Sequence, residues 1–295
     1  MHVSPTQVRM FLRCMQQWWF RYVAGIKLKP NVPMAIGTAV HKAIERNLKA
    51  KATTGRPERL DTLLGIVEET ISSEFDFVET SRGESKETLI KDAAKALEFH
   101  YNNVAPKIAP AAVDGVPLVE YEKEIEFENR PWTLKVVVDA IDKKGIVIDT
   151  KVSSKKLPEI AAEIDFQLKA GSFVYLHTLG SPPNKVRFDR IIKGKAGYEL
   201  QQLSSKAPTE DDLRTFLAKL DGVAQIMQLI MEGRVKPIPI HDPYVCSWCG
   251  YAPICLGKDL TKYLRDPSTA EGEAKKLISF RLDERRRSQD ELDNA

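Results

Sequence analysis

The first hundred residues carry apolar side chains at helical spacing. A helix is predicted to begin at Ser4-Pro5, because Ser is a typical N-cap and Pro a typical first helical residue, and to end near Gly25. A second helix is predicted to begin near Gly37, and two further helices cover roughly 57–78 and 85–104. The last two are polar enough that we expect them on the surface, within a helical insertion.

The centre of the chain changes to runs rich in Val and Ile, which are typical of β-strands. Strands are predicted over 117–128, 132–142, 146–152, 186–192 and 198–203. Helices are predicted from Pro158 to about His177, and from a cap formed by Thr209 and Asp212 to near Gly233. These elements together indicate an α/β fold with a mixed central sheet flanked by helices.

Composition and charge narrow the class of protein only a little. The 295 residues are 43% hydrophobic and 29% charged, which is typical of a globular protein with a substantial core. A net charge of +3 neither proves nor excludes nucleic-acid binding, since binding depends on where the charge clusters. No apolar run is long enough to cross a bilayer, and the first residues lack the pattern of a signal peptide. We therefore expect a cytoplasmic protein with no membrane partner.

The segment 136–151 holds the most informative chemistry. Lys143-Lys144-Gly145 suits a three-residue hairpin loop, which would pair Asp142 with Ile146 and place Asp139 opposite Asp149. Because side chains alternate along a strand, Asp149 and Lys151 share a face. Two facing carboxylates are destabilising unless a hard cation such as Mg²⁺ binds both. Considered alone, however, the pattern is explained better by a surface hairpin with an incidental polar face.

Cysteines form a second candidate site. Cys246, Cys249 and Cys255 make a C-x₂-C-x₅-C cluster, and Cys14 is the only other cysteine. In a reducing compartment a metal site is a better first hypothesis than a disulfide framework. Four thiolates suit a [4Fe–4S] cluster, and they also suit Zn²⁺. Unrelated buried thiols remain an alternative, as does His241 in place of one cysteine.

Several segments together resemble the PD-(D/E)XK nuclease superfamily, and within it the RecB-like exonucleases and CRISPR-associated iron–sulfur relatives. Gly37-x-x-x-His41 resembles the first motif of that family, Asp139 the second, and Asp149-Thr150-Lys151 the third. Gln167 matches the start of the following helix motif, but Gly171 stands at the position of the expected tyrosine. Tyr175 lies one turn later as a partial substitute, and Val136 replaces a glycine that is common in the family.

The resemblance implies a restriction-endonuclease-like core and a set of roles. His41, Asp139, Asp149 and the carbonyl of Thr150 would hold Mg²⁺ or Mn²⁺. Lys151 would be the catalytic lysine, and Gln167 would orient Lys151 or the DNA backbone, so that the catalytic set is Asp139, Asp149, Lys151 and Gln167. The early cysteine and the three late ones would hold a [4Fe–4S] cluster, with Zn²⁺ as the alternative. The implied activity is DNA cleavage, and single-stranded ends are the expected substrate.

The predicted organisation is a single nuclease domain over 1–267 with a mostly helical insertion over 51–116. A cysteine segment over 234–267 would join Cys14, and a charged tail would follow over 268–295. Expected partners are DNA and proteins of recombination, repair or CRISPR adaptation. Side chains that could contact phosphates are Lys155, Lys156, Arg190, Lys193 and Lys195.

Two other functions remain open from the sequence. One is a catalytically silent module that binds DNA or a partner on a nuclease-like fold. The other is a zinc protein in which the acidic hairpin is incidental.

Overall fold

The computed structural model describes residues 1–80, 83–256 and 264–265. The chain forms two compact units. Unit 1 comprises Met1–Val8 and Asn31–Gln225, and unit 2 comprises Arg9–Pro30 and Ile226–Ala295. The charged tail predicted over 268–295 lies outside the described residues, and the single domain over 1–267 stays a prediction. None of the helices in the described part of the chain has the length and apolar character needed to span a membrane.

The elements alternate between helices and strands as the sequence pattern predicts. The helices are α1 (Pro5–Arg13), α2 (Met15–Tyr22), α3 (Val32–Thr54), α4 (Leu60–Glu74), α5 (Lys86–Asn103), α6 (Ala161–Ile164), α7 (Phe166–Leu179), α8 (Glu210–Met231), α9 (Pro243–Ser247) and α10 (Ala252–Cys255). The strands are β1 (His2–Val3), β2 (Ala112–Val113), β3 (Val116–Pro117), β4 (Val119–Glu126), β5 (Thr133–Ile141), β6 (Ile146–Ser153), β7 (Lys185–Gly194) and β8 (Gly197–Lys206).

A six-stranded mixed sheet forms the centre of unit 1. Its main path runs β1-β5-β6-β7-β8, and β4 pairs with the other edge of β5. The β1–β5 and β6–β7 pairs are parallel, whereas β4–β5, β5–β6 and β7–β8 are antiparallel. The predicted α/β class with a mixed central sheet is therefore confirmed.

Three predicted helix boundaries are wrong. The first helix is divided at Cys14, whose extended backbone (φ −164°, ψ 111°) ends α1 and precedes α2. Helix α3 begins at Val32 instead of near Gly37, because the Asn31 side chain accepts a hydrogen bond from the Met34 amide and acts as N-cap. The helix predicted from Pro158 is divided at Asp165, which caps α7 by accepting from the Gln167 and Leu168 amides.

Helices α4 and α5 are not the surface helices that their polarity suggested. Each buries an apolar stripe, with Leu63 and Val67 on α4 and Ala93 and Leu97 on α5 fully covered. These side chains join α3 and the sheet residue Ile148 in one hydrophobic cluster. The amphipathic spacing of apolar residues therefore determines their position more than their average polarity does.

Helix α7 packs closely against β5 and β6 because Gly171 has no side chain. A Cβ added at Gly171 would lie 2.7 Å from Cγ1 of Val147 and 3.7 Å from Cγ2 of Val138. The glycine that stands at the expected tyrosine position thus has a packing role in this chain. The close approach also brings Gln167, at the start of α7, to the middle of β5.

Unit 2 has a smaller core, built by two segments that are distant in sequence. Its buried residues are Phe20, Ala24, Ile26, Tyr251, Ile254 and Leu264. The rings of Phe20 and Tyr251 stack with their centroids 5.8 Å apart. The Tyr251 hydroxyl donates to the Ile26 carbonyl at 2.8 Å. Residues 18–26 therefore fold as one unit with 251–256 and Leu264, and most of the aromatic side chains at 18–22 serve packing.

Candidate active site

The acidic centre lies where strand β5 changes partners. On one edge β5 pairs with β1 at Thr133 and Leu134, and then with β6 at Ala140 and Ile141. Between these two ladders, side chains bond to the strand: Gln167 Nε2 donates to the Val137 carbonyl at 2.7 Å. An interruption of this kind leaves room for functional groups inside an otherwise continuous sheet.

The hairpin register agrees with the prediction from the sequence. Ala140 pairs with Ile148 and Ile141 with Val147, so the count along both strands places Asp139 across from Asp149. The Thr150 amide donates to Oδ2 of Asp139 at 2.8 Å. This bond fixes the Asp139 carboxylate beside β6, one residue from Asp149.

Lys151 brings the two acids together. Its Nζ lies 2.8 Å from Oδ1 of Asp149 and 3.7 Å from Oδ2 of Asp139. Both carboxylates therefore approach one ammonium group, as the hairpin pattern predicts. Lys151 keeps about 40% of its side chain exposed, so a ligand from solvent can reach it.

A group of possible metal ligands adjoins this pair. Single ligand atoms of His41, Glu120 and Asp139 all lie within 4.8 Å of one another. Nδ1 of His41 is 3.7 Å from the Glu120 carboxylate and 3.8 Å from Asp139. The three residues come from α3, β4 and β5, so the fold of unit 1 determines their spacing.

Glu120 is a site residue that the sequence did not reveal. It has a left-handed backbone (φ 45°) inside β4, and the register of β4 with β5 passes from Val119–Ala140 to Tyr121–Val138 without pairing Glu120 and Asp139. Non-glycine residues in this region carry strain that is common at functional sites. No sequence signal marks Glu120, because Glu122, Glu124 and Glu126 continue the same alternation on the strand.

The electrostatics of the centre favour a bound cation. Asp149 is buried, and its Oδ2 has no hydrogen-bond partner. Burial and the neighbouring Asp139 carboxylate raise the pKa of Asp149 to about 7, although Lys151 opposes them. Burial acts to lower the pKa of His41, but the contacts with Glu120 and Asp139 outweigh it, and the pKa is raised. A divalent cation would compensate these carboxylates and give the orphaned oxygen a ligand role.

Thr150, Gln167 and Tyr175 occupy different positions around the centre. Thr150 is buried between Asp149 and Lys151, and Gln167 is engaged with the β5 backbone. A Cβ added at Gly145 would lie 3.0 Å from the Tyr175 hydroxyl, which places that hydroxyl at the hairpin loop. The loop is about 13 Å along β6 from Asp149, so Tyr175 does not substitute for the expected tyrosine.

The basic candidates differ in their surroundings. Arg190 on β7 lies beside Lys151 on β6 in the register of the two strands. Its guanidinium donates to the Lys155 carbonyl at 2.9 Å, and its buried Nε has no hydrogen-bond partner. Lys193 pairs with Asp92, and Lys156 pairs with Glu199. Lys195 is exposed on the β7–β8 turn. Of these side chains, Arg190 lies nearest to the acidic centre along the sheet.

The four cysteines all belong to unit 2, and none of them, all within the described residues, forms a disulfide. Burial raises the pKa of the Cys249 thiol, and the neighbouring thiols of Cys14 and Cys246 raise it further. Cys14, at the break between α1 and α2, therefore lies close to Cys249, which is also close to Cys246. Cys255 is exposed at the end of α10.

A comparison with protein families decides the assignment. The family model described as the PD-(D/E)XK nuclease superfamily matches residues 2–256. The chain belongs to the PD-(D/E)XK nuclease superfamily. The assignment of Asp139 and of the triplet Asp149-Thr150-Lys151 to the motifs of this nuclease superfamily stays a prediction from the sequence. No curated protein matches the chain.

Solved structures support the fold of the nuclease. The structure of a "Putative exonuclease" from Eubacterium rectale matches with a TM-score of 0.56 and 10% identity, covering 84% of this chain and 88% of that one. A protein designated SSO0001 matches with a TM-score of 0.32 and 16% identity, covering 75% of this chain and 86% of that one. The first comparison shows a shared restriction-endonuclease-like fold.

Proposed function

We propose that this nuclease is a metal-dependent deoxyribonuclease that hydrolyses phosphodiester bonds at single-stranded DNA ends. The observation that carries the proposal is the convergence of His41, Glu120 and Asp139 beside the Asp149–Lys151 pair. A nuclease centre needs ligands for a hard cation and a nearby positive group for the phosphate, and these residues provide both.

The residues present fit Mg²⁺ or Mn²⁺. Asp139, Asp149 and Glu120 offer oxygen ligands, and a histidine ligand suits Mn²⁺ in particular. We propose the Thr150 carbonyl oxygen as a further ligand of the same ion. A divalent cation held there would withdraw charge from a phosphate oxygen and make a bound water more acidic.

The chain's own residues would then orient and stabilise the reacting groups. The Lys151 ammonium, held 2.8 Å from Asp149, can position the attacking water or stabilise charge on the phosphate. The Thr150 amide keeps Asp139 in place, and Gln167 fixes the β5 backbone next to it. Arg190, one strand from Lys151, can contribute a second positive charge for the substrate strand.

The cysteines of unit 2 suit a [4Fe–4S] cluster, which we propose as a structural group held by Cys14, Cys246, Cys249 and Cys255. Four cysteine thiolates are the usual ligand set of such a cluster. A tetrahedral Zn²⁺ site on the same four thiolates is the alternative.

The nuclease activity is tested on anaerobically purified protein with 5′- and 3′-labelled single and double strands, with Mg²⁺ or Mn²⁺ added. We expect cleavage of single-stranded ends and a loss of about 10²–10³-fold in rate for Asp149→Asn and for Lys151→Ala. Lys143→Ala, in the exposed loop of the same hairpin, is the matched control and should leave the rate unchanged.

Two outcomes would contradict these proposals. Folded variants at Asp149 and Lys151 that cleave at the normal rate would remove the catalytic assignment. DNA binding without cleavage under either metal would favour the silent binding module instead. For unit 2, a brown protein containing iron and sulfide supports the cluster, whereas a colourless protein with stoichiometric zinc contradicts it.

A further inference from the structure

Two aromatic side chains of unit 2 project into solvent on one side of a short helix. Tyr244 is 84% exposed and Trp248 is 81% exposed. They lie four residues apart, at α9 and its C-cap, so they project from the same side of the turn. Aromatic side chains of this size usually bury 150–250 Å² each, and two of them this exposed indicate a binding surface.

The buried core of unit 2 does not include these rings. The aromatic core of the unit is supplied by Phe20 and Tyr251, which stack on each other. Helix α9 is capped without the rings, since the Asp242 carboxylate accepts from the Val245 amide at 2.8 Å and the Cys249 amide donates to the Cys246 carbonyl. Removing either exposed ring would therefore change the surface and leave the core in place.

The charged side chains of the other segment of unit 2, residues 9–30, are all positive. Residues 9–30 contain Arg9, Arg13, Arg21, Lys27 and Lys29 and no acidic residue. All except Lys29 are exposed. The Arg265 amide donates to the Lys27 carbonyl, and a Cβ added at Gly250 would lie 2.8 Å from Leu28, so this basic segment packs directly against the residues that follow α9. Exposed rings in the same unit as a segment that carries only positive charge suit a nucleic-acid strand, whose bases stack and whose phosphates are anionic.

We propose that Tyr244 and Trp248 stack on bases of a single DNA strand whose phosphates lie along the basic residues of segment 9–30. The inference rests on the proposed function, because it supplies the binding surface for that substrate. Single-stranded DNA is the occupant that fits, since the faces of bases are available only where they are not stacked in a duplex. The basic segment disfavours a purely apolar partner.

Binding is measured on the full chain without added Mg²⁺ or Mn²⁺, so that it is separate from cleavage. We expect Trp248→Ala and Tyr244→Ala each to weaken single-strand binding roughly 5- to 100-fold. Trp248→Phe should retain most of the affinity, and duplex binding should change less than about twofold. Ile238→Ala removes another exposed apolar side chain of unit 2 and is the matched control.

A thermodynamic cycle that combines the ring variants with abasic oligonucleotides distinguishes base stacking from a structural effect of the substitution. If Trp248 stacks on a base, removing that base weakens binding by the wild type but causes little further loss in Trp248→Ala. Equal losses in both proteins at every position would overturn the proposal. So would unchanged single-strand binding in both ring variants, or a change only in self-association measured by sedimentation. A wild type that shows this coupling but cleaves no DNA would refute the nuclease proposal and leave the stacking site standing.

Discussion

The acidic centre of unit 1 and the cysteine set of unit 2 are held in different ways. The acids lie on strands of eight and nine residues that are bonded to neighbouring strands, and the His41, Glu120 and Asp139 ligand atoms already lie within 4.8 Å. The late cysteines lie on or beside helices of five and four residues next to a small core. The strands and helices of unit 1 therefore position its site, whereas unit 2 is expected to depend on the [4Fe–4S] cluster proposed for its cysteines.

The largest expected effect follows from that dependence. Cys249→Ser, or removal of the bound metal by oxidation and chelation, should abolish protection of the 243–256 amides in hydrogen exchange, because a structural metal group contributes folding free energy directly. Amides of β6 and β7 should keep their protection. Ser247→Ala, a neighbouring exposed position, is the control. Unchanged protection in Cys249→Ser would show that unit 2 folds without the group.

A substitution at Glu120 should have a smaller effect, which is confined to metal binding in unit 1. Glu120→Gln removes one negatively charged oxygen ligand and should weaken Mn²⁺ binding about 10- to 100-fold, as measured by calorimetry or by paramagnetic resonance. Glu122→Gln is a matched control, since Glu122 lies on the same strand but is exposed and pairs with Lys135. Equal Mn²⁺ affinity in both variants would remove Glu120 from the proposed ligand set.

The contrast between Glu120 and Asp149 shows what the sequence can predict. The hairpin that presents Asp149 is local, and its loop fixes the register by counting, so the pairing of Ile141 with Val147 agrees with the structure. Glu120 joins the site through its own left-handed backbone in β4 and through its contact with His41, which lies on α3 much earlier in the chain. Neither is visible in an alternating run of glutamates, because pattern and spacing encode local pairing and not contacts between distant segments.

The helix errors have the same origin. The apolar spacing across Cys14 continues without a Gly or Pro, so it predicts one helix. The break is at Cys14, which lies close to Cys249 from the other end of the chain, and the local pattern does not encode that contact. The polar composition of α4 and α5 predicts a surface position, but their apolar residues recur on one face and that face is buried.

The smallest effect concerns the pH dependence of unit 1 without its metal. Burial raises the pKa of Asp149 to about 7 in the folded state, whereas the pKa of an unfolded aspartate is about 3.9. Between these values the folded state binds more protons, so the contribution of Asp149 to the free energy of unfolding falls as pH rises, by at most about 1.4 kcal/mol per pH unit. Asp149→Asn removes this contribution.

The free energy of unfolding of Asp149→Asn should therefore rise relative to that of the wild type as pH rises from about 5 to 7. The difference between the two proteins should level off above pH 7. Urea unfolding followed by exchange of β6 and β7 amides, with no divalent cation added, measures it. His100 acts in the opposite direction: its burial lowers its pKa to about 3, so its contribution to stability is lost as pH falls below the unfolded value. That contribution is common to both proteins and cancels in their difference. A difference independent of pH would show that Lys151 keeps Asp149 ionised despite its burial.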